Sequence, residues 1–421
     1  MKKTKNINYE NIYNNILYEY TEIISPYIQQ ITYYDELQLK KSEKYYKINE
    51  QINSNLIISS ILKNKRTEIS KRTNYKYKNA LKEYVNDFPY ILKKYLMINN
   101  YIDIKISNAF TKLYEILFIF NKELFNDLET IKAYHMAEAP GMWIKCMEYY
   151  INKTKNIGYE WYANSLNPDN AYNKKKYNVI FDDKYGLMSG ENSKKWLYGK
   201  DNTGDIMNVE NIININKTLN EKKFVSNLIT SDAGIDVKTT DLYTLQKLDY
   251  AQLINVMLLS NENGNIIIKT FLPFIVSKKE SLTKKSIEFF ISIIYIYTML
   301  FEKIYLYKPM SSNLTSGEFY IIGIRFNNKI TNNLRNELSQ KLTNFEINIE
   351  LVPSEFISNF IKYQILKYLN KILEINNLYI EIENDLLTIM ENDKLSDSFT
   401  DLLNKIKLKK INYWLDIYDF I

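Results

Sequence analysis

Two short stretches of this 421-residue chain put reactive groups where a folded core would not ordinarily carry them. In "NENGNIIIKTFLPF", residues 261 to 274, three consecutive isoleucines predict a strand buried on both faces. The run nevertheless delivers Lys269, a side chain seldom fully buried. In "MAEAPGMW", residues 136 to 143, a Pro-Gly turn lies between a predicted strand and a predicted helix, the junction at which an open parallel sheet forms its ligand crevice. Pro140 and Gly141 would let backbone amides approach a ligand at the helix's positive end; the bland alternative is a common structural turn. The stretch matches neither G-x-G-x-x-G nor G-x-x-x-x-G-K-[ST], so the dinucleotide and nucleoside triphosphate fingerprints are absent. A single cysteine, Cys146, excludes an internal disulfide framework and a multi-cysteine metal site. The lone histidine, His135, excludes His-cluster zinc chemistry and reads as a packed structural residue; no metal is expected.

These groups need a scaffold, and the patterning supplies one. Residues 1 to about 100 carry hydrophobic residues at helical spacing, as in "YNNILYEYTEIISPYIQQI", and contain no glycine, so they predict helix. From about 107 to 327 the glycines concentrate, and short apolar runs alternate with longer helical patterns, the signature of parallel strands joined by crossover helices. Strands are predicted at "KAYHMAEA", "YEWYANSL", "NLITSDA", "NIIIKTF", "KIYLYKP" and "EFYIIGIRF". The last two are separated only by "MSSNLTSG", too short for a packed crossover helix, so they should pair antiparallel. After about 335 the pattern returns to helix. The fold class is therefore α/β, a Rossmann-like sheet that is mostly parallel with its last strand antiparallel. It is divided as a helical extension over 1–104, a central domain over 105–327 and a second helical extension over 328–421.

Composition sets the bounds. Hydrophobic residues make up 46% and charged residues 25%, a globular balance, and the net charge of +6 permits an acidic partner such as nucleic acid without demanding one. Lys, Asn, Ile and Tyr (37 of the last) are abundant throughout, as an A+T-rich coding sequence would give, so interleaved basic and aromatic residues say little about RNA. Runs such as "KIKLKK" near 405 to 410 read as a solvated helix face. No signal peptide is evident, and "FFISIIYIYTML" falls short of the roughly 20 apolar residues a membrane span needs; a soluble protein is expected.

The turn at 136 to 143 resembles motif I of FtsJ-like S-adenosylmethionine-dependent ribose 2'-O-methyltransferases. "AEAPG" is most similar to the Adrift-type branch, which includes cap-adjacent mRNA methyltransferases and relatives encoded by large cytoplasmic DNA viruses. Met142 stands where those enzymes often have Gly or Ala. The resemblance implies a Lys-Asp-Lys-Glu tetrad, and each member has a counterpart in chain order. "NAFTKLYEILFIF" supplies Lys112, "LITSDAGIDV" supplies Asp232, the stretch at 261 to 274 supplies Lys269, and "SSNLTSGEFYIIGIRF" supplies Glu318. It further implies that the cofactor's methionine portion lies against Glu138, Ala139, Pro140, Gly141 and Met142, with Asp232 nearby. In "TGDIMN", Asp205 would accept from the adenine amino group, with Ile206 against the ring. Asn164, Ser165 or Glu138 would serve the ribose hydroxyls in place of the usual acid.

Strand ends on one edge of such a sheet converge, so Asp232 and Lys269 can share a crevice although far apart in sequence. A ribose hydroxyl is a poor nucleophile while protonated, and Lys269 would take its proton as neutral amine or steady the developing alkoxide as cation. Partial burial and Lys112 push it toward amine, Asp232 and Glu318 toward ammonium. The expected substrate is RNA, at nucleotides beside an mRNA cap; the flanking extensions are left unassigned between gripping RNA, binding a capping-machinery partner and self-association. The alternatives are a ribosomal or transfer RNA substrate, or a noncatalytic RNA-binding scaffold. A cytoplasmic location follows, in the infected host cell if the chain is viral, with packaging in the virion a further expectation.

Overall fold

The computed structural model describes residues 27–31, 47–72, 88–126, 128–154, 157–177, 182–234, 241–273, 283–391 and 397–420. Seven strands form one sheet: β1 Tyr27–Ile31, β2 Thr130–Met136, β3 Gly158–Ala163, β4 Leu228–Ser231, β5 Asn265–Phe271, β6 Phe301–Lys308 and β7 Glu318–Phe326. Their order is β1-β6-β7-β5-β4-β2-β3. Strands β3, β2, β4 and β5 are parallel neighbours, whereas β7 runs antiparallel to both β5 and β6, as the short "MSSNLTSG" connection requires.

Among the described residues the helices before the first parallel strand are α1 Ile48–Arg72, α2 Phe88–Ile98, α3 Asn108–Ile119 and α4 Asn121–Phe125. Between the strands lie α5 Met142–Thr154, α6 Ala171–Tyr177, α7 Val209–Glu221, α8 Leu242–Leu259 and α9 Lys284–Leu300; α10 Asn332–Thr343, α11 Asn359–Glu391 and α12 Asp397–Ile417 follow the sheet. This is the expected α/β class, with crossover helices on both faces of the sheet.

The period-two pattern of the strands divides their side chains between two cores. Ile266 and Ile268 of β5 join α8, α9 and α11 on one face, while Ile267 faces α3, α5 and α12 on the other. That two-sided burial is why β5 reads as an unbroken apolar run, and it puts Lys269 on the face of Ile267, toward α3. His135, fully buried in β2, places its ring nitrogens 2.6 Å from Thr230 Oγ1 and 2.7 Å from the Tyr159 hydroxyl. Burial lowers its pKa to about 3, so it is a neutral structural residue.

Two expectations fail in detail. The helical spacing predicts helix through the segment ending "YIQQI", yet Tyr27–Ile31 is a strand pairing antiparallel with β6; the remainder of that stretch lies outside the described residues. Tertiary pairing overrides the local pattern here, because β6 would otherwise present an unpaired edge. In "KIKLKK", Lys405 and Lys409 are exposed as expected, but Lys410 is buried, its ammonium 4.5 Å from the centre of the Phe88 ring. The helices flanking the central region are continuous with its cores. Helix α1 runs parallel to α11, joined by Ser54–Asn370, Lys65–Asn377 and Arg72–Asn384 hydrogen bonds, while Trp414, Leu415 and Tyr418 of the C-terminal region pack with α2 and α3. Among the described residues no helix is long and apolar enough to cross a membrane.

Candidate active site

The turn after β2 is built by its own backbone. Ala137 adopts φ 51° and Gly141 φ +105°, the Ala139–Pro140 peptide is cis, and the Gly141 N–H donates to Glu138 O at 2.7 Å. Gly141 suits the turn because its φ is left-handed; a Cβ there would also come within 2.5 Å of Leu187 Cδ1, the end of a flexible side chain. The Glu138 carboxylate turns inward rather than outward, its Oε1 accepting the Trp143 N–H at 2.6 Å in the first turn of α5. Burial and the nearby Asp232 hold that carboxyl well above the usual range, against the pull of the Trp143 and Ile144 amides.

Met142 is buried, and its sulfur accepts from the Ser107 N–H at 3.2 Å and the Tyr185 hydroxyl at 3.3 Å. Ser107 in turn caps α3, whose Ala109 carbonyl accepts the Trp143 indole N–H at 3.1 Å. The larger residue at 142 therefore ties the turn to the helix that carries Lys112.

Across the carboxyl edge the expected tetrad forms two ion pairs. Lys269 Nζ lies 3.1 Å from Asp232 Oδ1 and donates to Asp232 O at 2.9 Å; Lys112 Nζ lies 2.5 Å from Glu318 Oε1. The register explains the convergence. Ser231 pairs with Ile268, so Asp232 and Lys269 follow side by side, while Tyr320 opposes Lys269 and Glu318 opposes Phe271 on antiparallel β7. The Tyr320 hydroxyl donates to Glu318 Oε1 at 3.1 Å. All four side chains are largely covered, with Asp232 at 21% the most exposed.

Burial alone would lower the Lys269 pKa, but Asp232, Glu318 and Glu138 outweigh it and hold the group above the ordinary lysine range. Burial alone would raise Glu318; Lys112, Lys269 and Lys308 outweigh it and bring the carboxyl to about 2. The resting site is thus fully ionised at neutral pH on these two groups.

The remaining sequence candidates lie beyond β3 and β4. Ile206 is buried in one apolar cluster with Ala233 and Leu248, with Ala137 and Met207 packed against it. Asp205 is half-buried, accepts from the Met207 N–H at 2.9 Å, and with Met207, Tyr243 and Lys247 lines a cavity of about 420 Å³. Asn164 donates to Leu197 O at 2.7 Å, and its buried Oδ1 meets no protein donor. Ser165 is buried where its carbonyl would lie 1.8 Å from a Cβ on Gly204, whose φ is +72°.

Sequence reasoning missed Lys308. This buried ammonium at the end of β6 donates to Glu318 O at 2.7 Å, Ser316 O at 3.0 Å and Asn313 O at 3.3 Å, organising the connection that leads to Glu318. Burial lowers its pKa to about 7, Glu318 opposing and Lys112 adding to the shift. Its one sequence signal is a lysine at the end of an apolar strand, the same anomaly that singles out Lys269.

Residues 106–326 match the FtsJ-like methyltransferase family. The chain belongs to that family. Among its relatives is an uncharacterised protein, L511, of Acanthamoeba polyphaga mimivirus, 29% identical over 320 residues, which are 72% of this chain and 37% of L511. Cap-specific mRNA (nucleoside-2'-O-)-methyltransferase 2 of Drosophila melanogaster is 26% identical over 208 residues, 47% of this chain and 27% of that protein. The probable methyltransferase EP424R of African swine fever virus is 27% identical over 232 residues, 52% of this chain and 49% of that protein. The chain thus spans between about a quarter and a half of the length of these relatives. The FtsJ-like region ends at the last sheet strand, so α1, α2 and α10 to α12 lie outside it.

Proposed function

We propose that this FtsJ-like methyltransferase uses S-adenosylmethionine to methylate the ribose 2'-oxygen of RNA at nucleotides beside an mRNA cap. The observation that carries the reading is the convergence of Lys112, Asp232, Lys269 and Glu318 at one sheet edge beside the Glu138–Met142 turn. The cap-adjacent substrate draws its support from the named activity of the Drosophila relative.

The crevice fits the proposed cofactor in its chemistry. An apolar cluster of Ile206, Ala233 and Leu248 is flanked by the carboxylates of Asp205 and Asp232, and the unpartnered Asn164 Oδ1 supplies an acceptor on the strand that leads to the ribose position. Asp205 and Ile206 would hold the adenine end. The turn backbone from Glu138 to Gly141 would hold the methionine end, with Asp232 beside it. Glu138 itself is committed to capping α5, which leaves Asn164 or Ser165 for the ribose hydroxyls. S-adenosylmethionine, when bound, supplies an electrophilic methyl group on a sulfonium.

Lys269 faces the remaining requirement. It rests as the ammonium, so the amine that accepts the 2'-hydroxyl proton at Nζ is a minor form whose high proton affinity drives the uptake. Asp232 orients that amine and stabilises the ammonium that re-forms. Lys112 and Glu318 close the other side and fix the position of the sugar oxygen, where a near-attack geometry is worth several powers of ten in rate.

The test is methyl incorporation from labelled S-adenosylmethionine into capped and uncapped RNA, with Lys269→Ala alongside. Transfer to capped RNA, reduced about 10²–10⁴-fold by Lys269→Ala while cofactor binding persists, is expected. Transfer to uncapped ribosomal or transfer RNA alone would move the substrate assignment, and transfer to none would leave a noncatalytic RNA-binding scaffold.

A further inference from the structure

Glu115 lies one turn beyond Lys112 on α3 and is completely buried. Its carboxylate gathers donors from two distant parts of the chain. From the β6–β7 connection come the backbone N–H groups of Ser311, 2.7 Å from Oε1, and Met310, 2.8 Å from Oε2. From the C-terminal helix comes Trp414 Nε1, 2.7 Å from Oε1, followed by the Tyr418 hydroxyl just beyond the helix, 3.3 Å from Oε2. The Tyr307 hydroxyl on β6 adds a contact of 3.1 Å to Oε2. Three of these donors are N–H groups that cannot reverse their role, so only an acceptor satisfies them.

The connection that Glu115 grips runs directly into Glu318. Its far side is held as well: Arg66 of α1 donates to Thr315 O and to Asn376 Oδ1 of α11, and Asn376 Nδ2 donates to Ser316 O at 3.4 Å. Both flanking extensions therefore clamp the segment that presents Glu318, and on the α3 side the clamp is one carboxylate. Lys112 and Glu318 come from elements far apart in sequence. An ion pair that must accommodate a substrate cannot by itself set its own geometry, whereas a buried anchor with fixed donors can.

We infer that Glu115 is a positioning residue: with Trp414 it fixes α3 against the β6–β7 connection, and so sets the Lys112–Glu318 pair, making the C-terminal helix a working part of the methyl-transfer site. The inference rests on the functional reading above. Displacing a reacting geometry by a fraction of an ångström lowers turnover without weakening ground-state binding.

The experiment measures kcat, KM for RNA and cofactor affinity in the full-length chain, for wild type, Glu115→Gln, Trp414→Phe and a control. The control, Tyr250→Phe, removes a comparable buried bond, 2.6 Å to Leu338 O, between α8 and α10. Trp414→Phe should lower kcat about tenfold and Glu115→Gln further, with KM and cofactor affinity within about twofold of wild type. Tyr250→Phe should lose thermal stability and keep its kcat. Should Glu115→Gln fail to fold, Trp414→Phe decides alone. A Trp414→Phe enzyme with the kcat of the control, or one whose defect lies in KM, overturns the inference. A wild-type chain that transfers methyl to no RNA removes the functional reading and the inference together; an active wild type with unimpaired Trp414→Phe removes the inference alone.

Discussion

Glu318 and Glu115 are both buried carboxylates, one paired with Lys112 and the other a turn away from it, and the protein satisfies them in opposite ways. Glu318 sits among ammonium groups, with Lys112 in contact and Lys269 and Lys308 close by, and it is drawn far below the ordinary carboxyl range. Glu115 meets backbone amides, an indole and phenols; burial lifts it above that range, against the pull of Ser311 and Trp414. Cations attract over distance and tolerate rearrangement, whereas fixed dipoles reward one geometry. The first arrangement suits a site where charge must shift during a reaction. The second suits an anchor.

The contrast is open to attack from both sides, most forcefully at Glu318. Glu318→Gln leaves Lys112, Lys269 and Lys308 without their shared counter-charge, and methyl transfer in single turnover should fall about 10²–10⁴-fold while the chain still folds and binds cofactor. A variant that loses stability but keeps its rate would make Glu318 a purely structural residue.

A smaller effect should appear in acid. A carboxyl held at about 2 in the folded chain, against an ordinary 4.5, contributes stability above the ordinary value and loses it as pH falls from about 4.5 toward 2, ~3 kcal/mol in all. Lys112→Met removes the strongest of the opposing charges, so the acid loss of stability, followed by denaturant midpoints at successive pH values, should shrink. An unchanged acid profile would mean that the ammonium groups do not set the Glu318 charge.

The smallest change is expected on the other side of the comparison. Tyr418→Phe removes the longest of Glu115's contacts and leaves the three N–H donors in place, so it should cost about 1 kcal/mol of stability or less. A loss several times larger would show that the cluster acts as one cooperative network rather than as an anchor with a spare donor.

Much of this was legible in the sequence because the informative signals were local. The "III" of β5 gave two-sided burial, the Pro-Gly turn marked the junction between β2 and α5, and "MSSNLTSG" was short enough to force an antiparallel pair. The tetrad became readable only through the family pattern, since lysine and glutamate are too common in this chain to stand out. Glu115 was illegible for a different reason: its donors lie 192 to 303 residues away, and nothing in "KLYEILF" separates a buried acid from the many exposed ones. The strand at Tyr27–Ile31 was hidden because a helical spacing precedes it and its partner on β6 is equally remote.

That remote pairing has a consequence during synthesis. Ile31 leaves the ribosome roughly 270 residues before Ile304, the residue it pairs with, so at about 5–20 residues per second the first strand waits on the order of tens of seconds for its neighbour. The parallel strands and their crossovers emerge within that interval. Among the described strands, the outermost is therefore made first and is among the last to dock, and it waits unpaired until β6 has been synthesised.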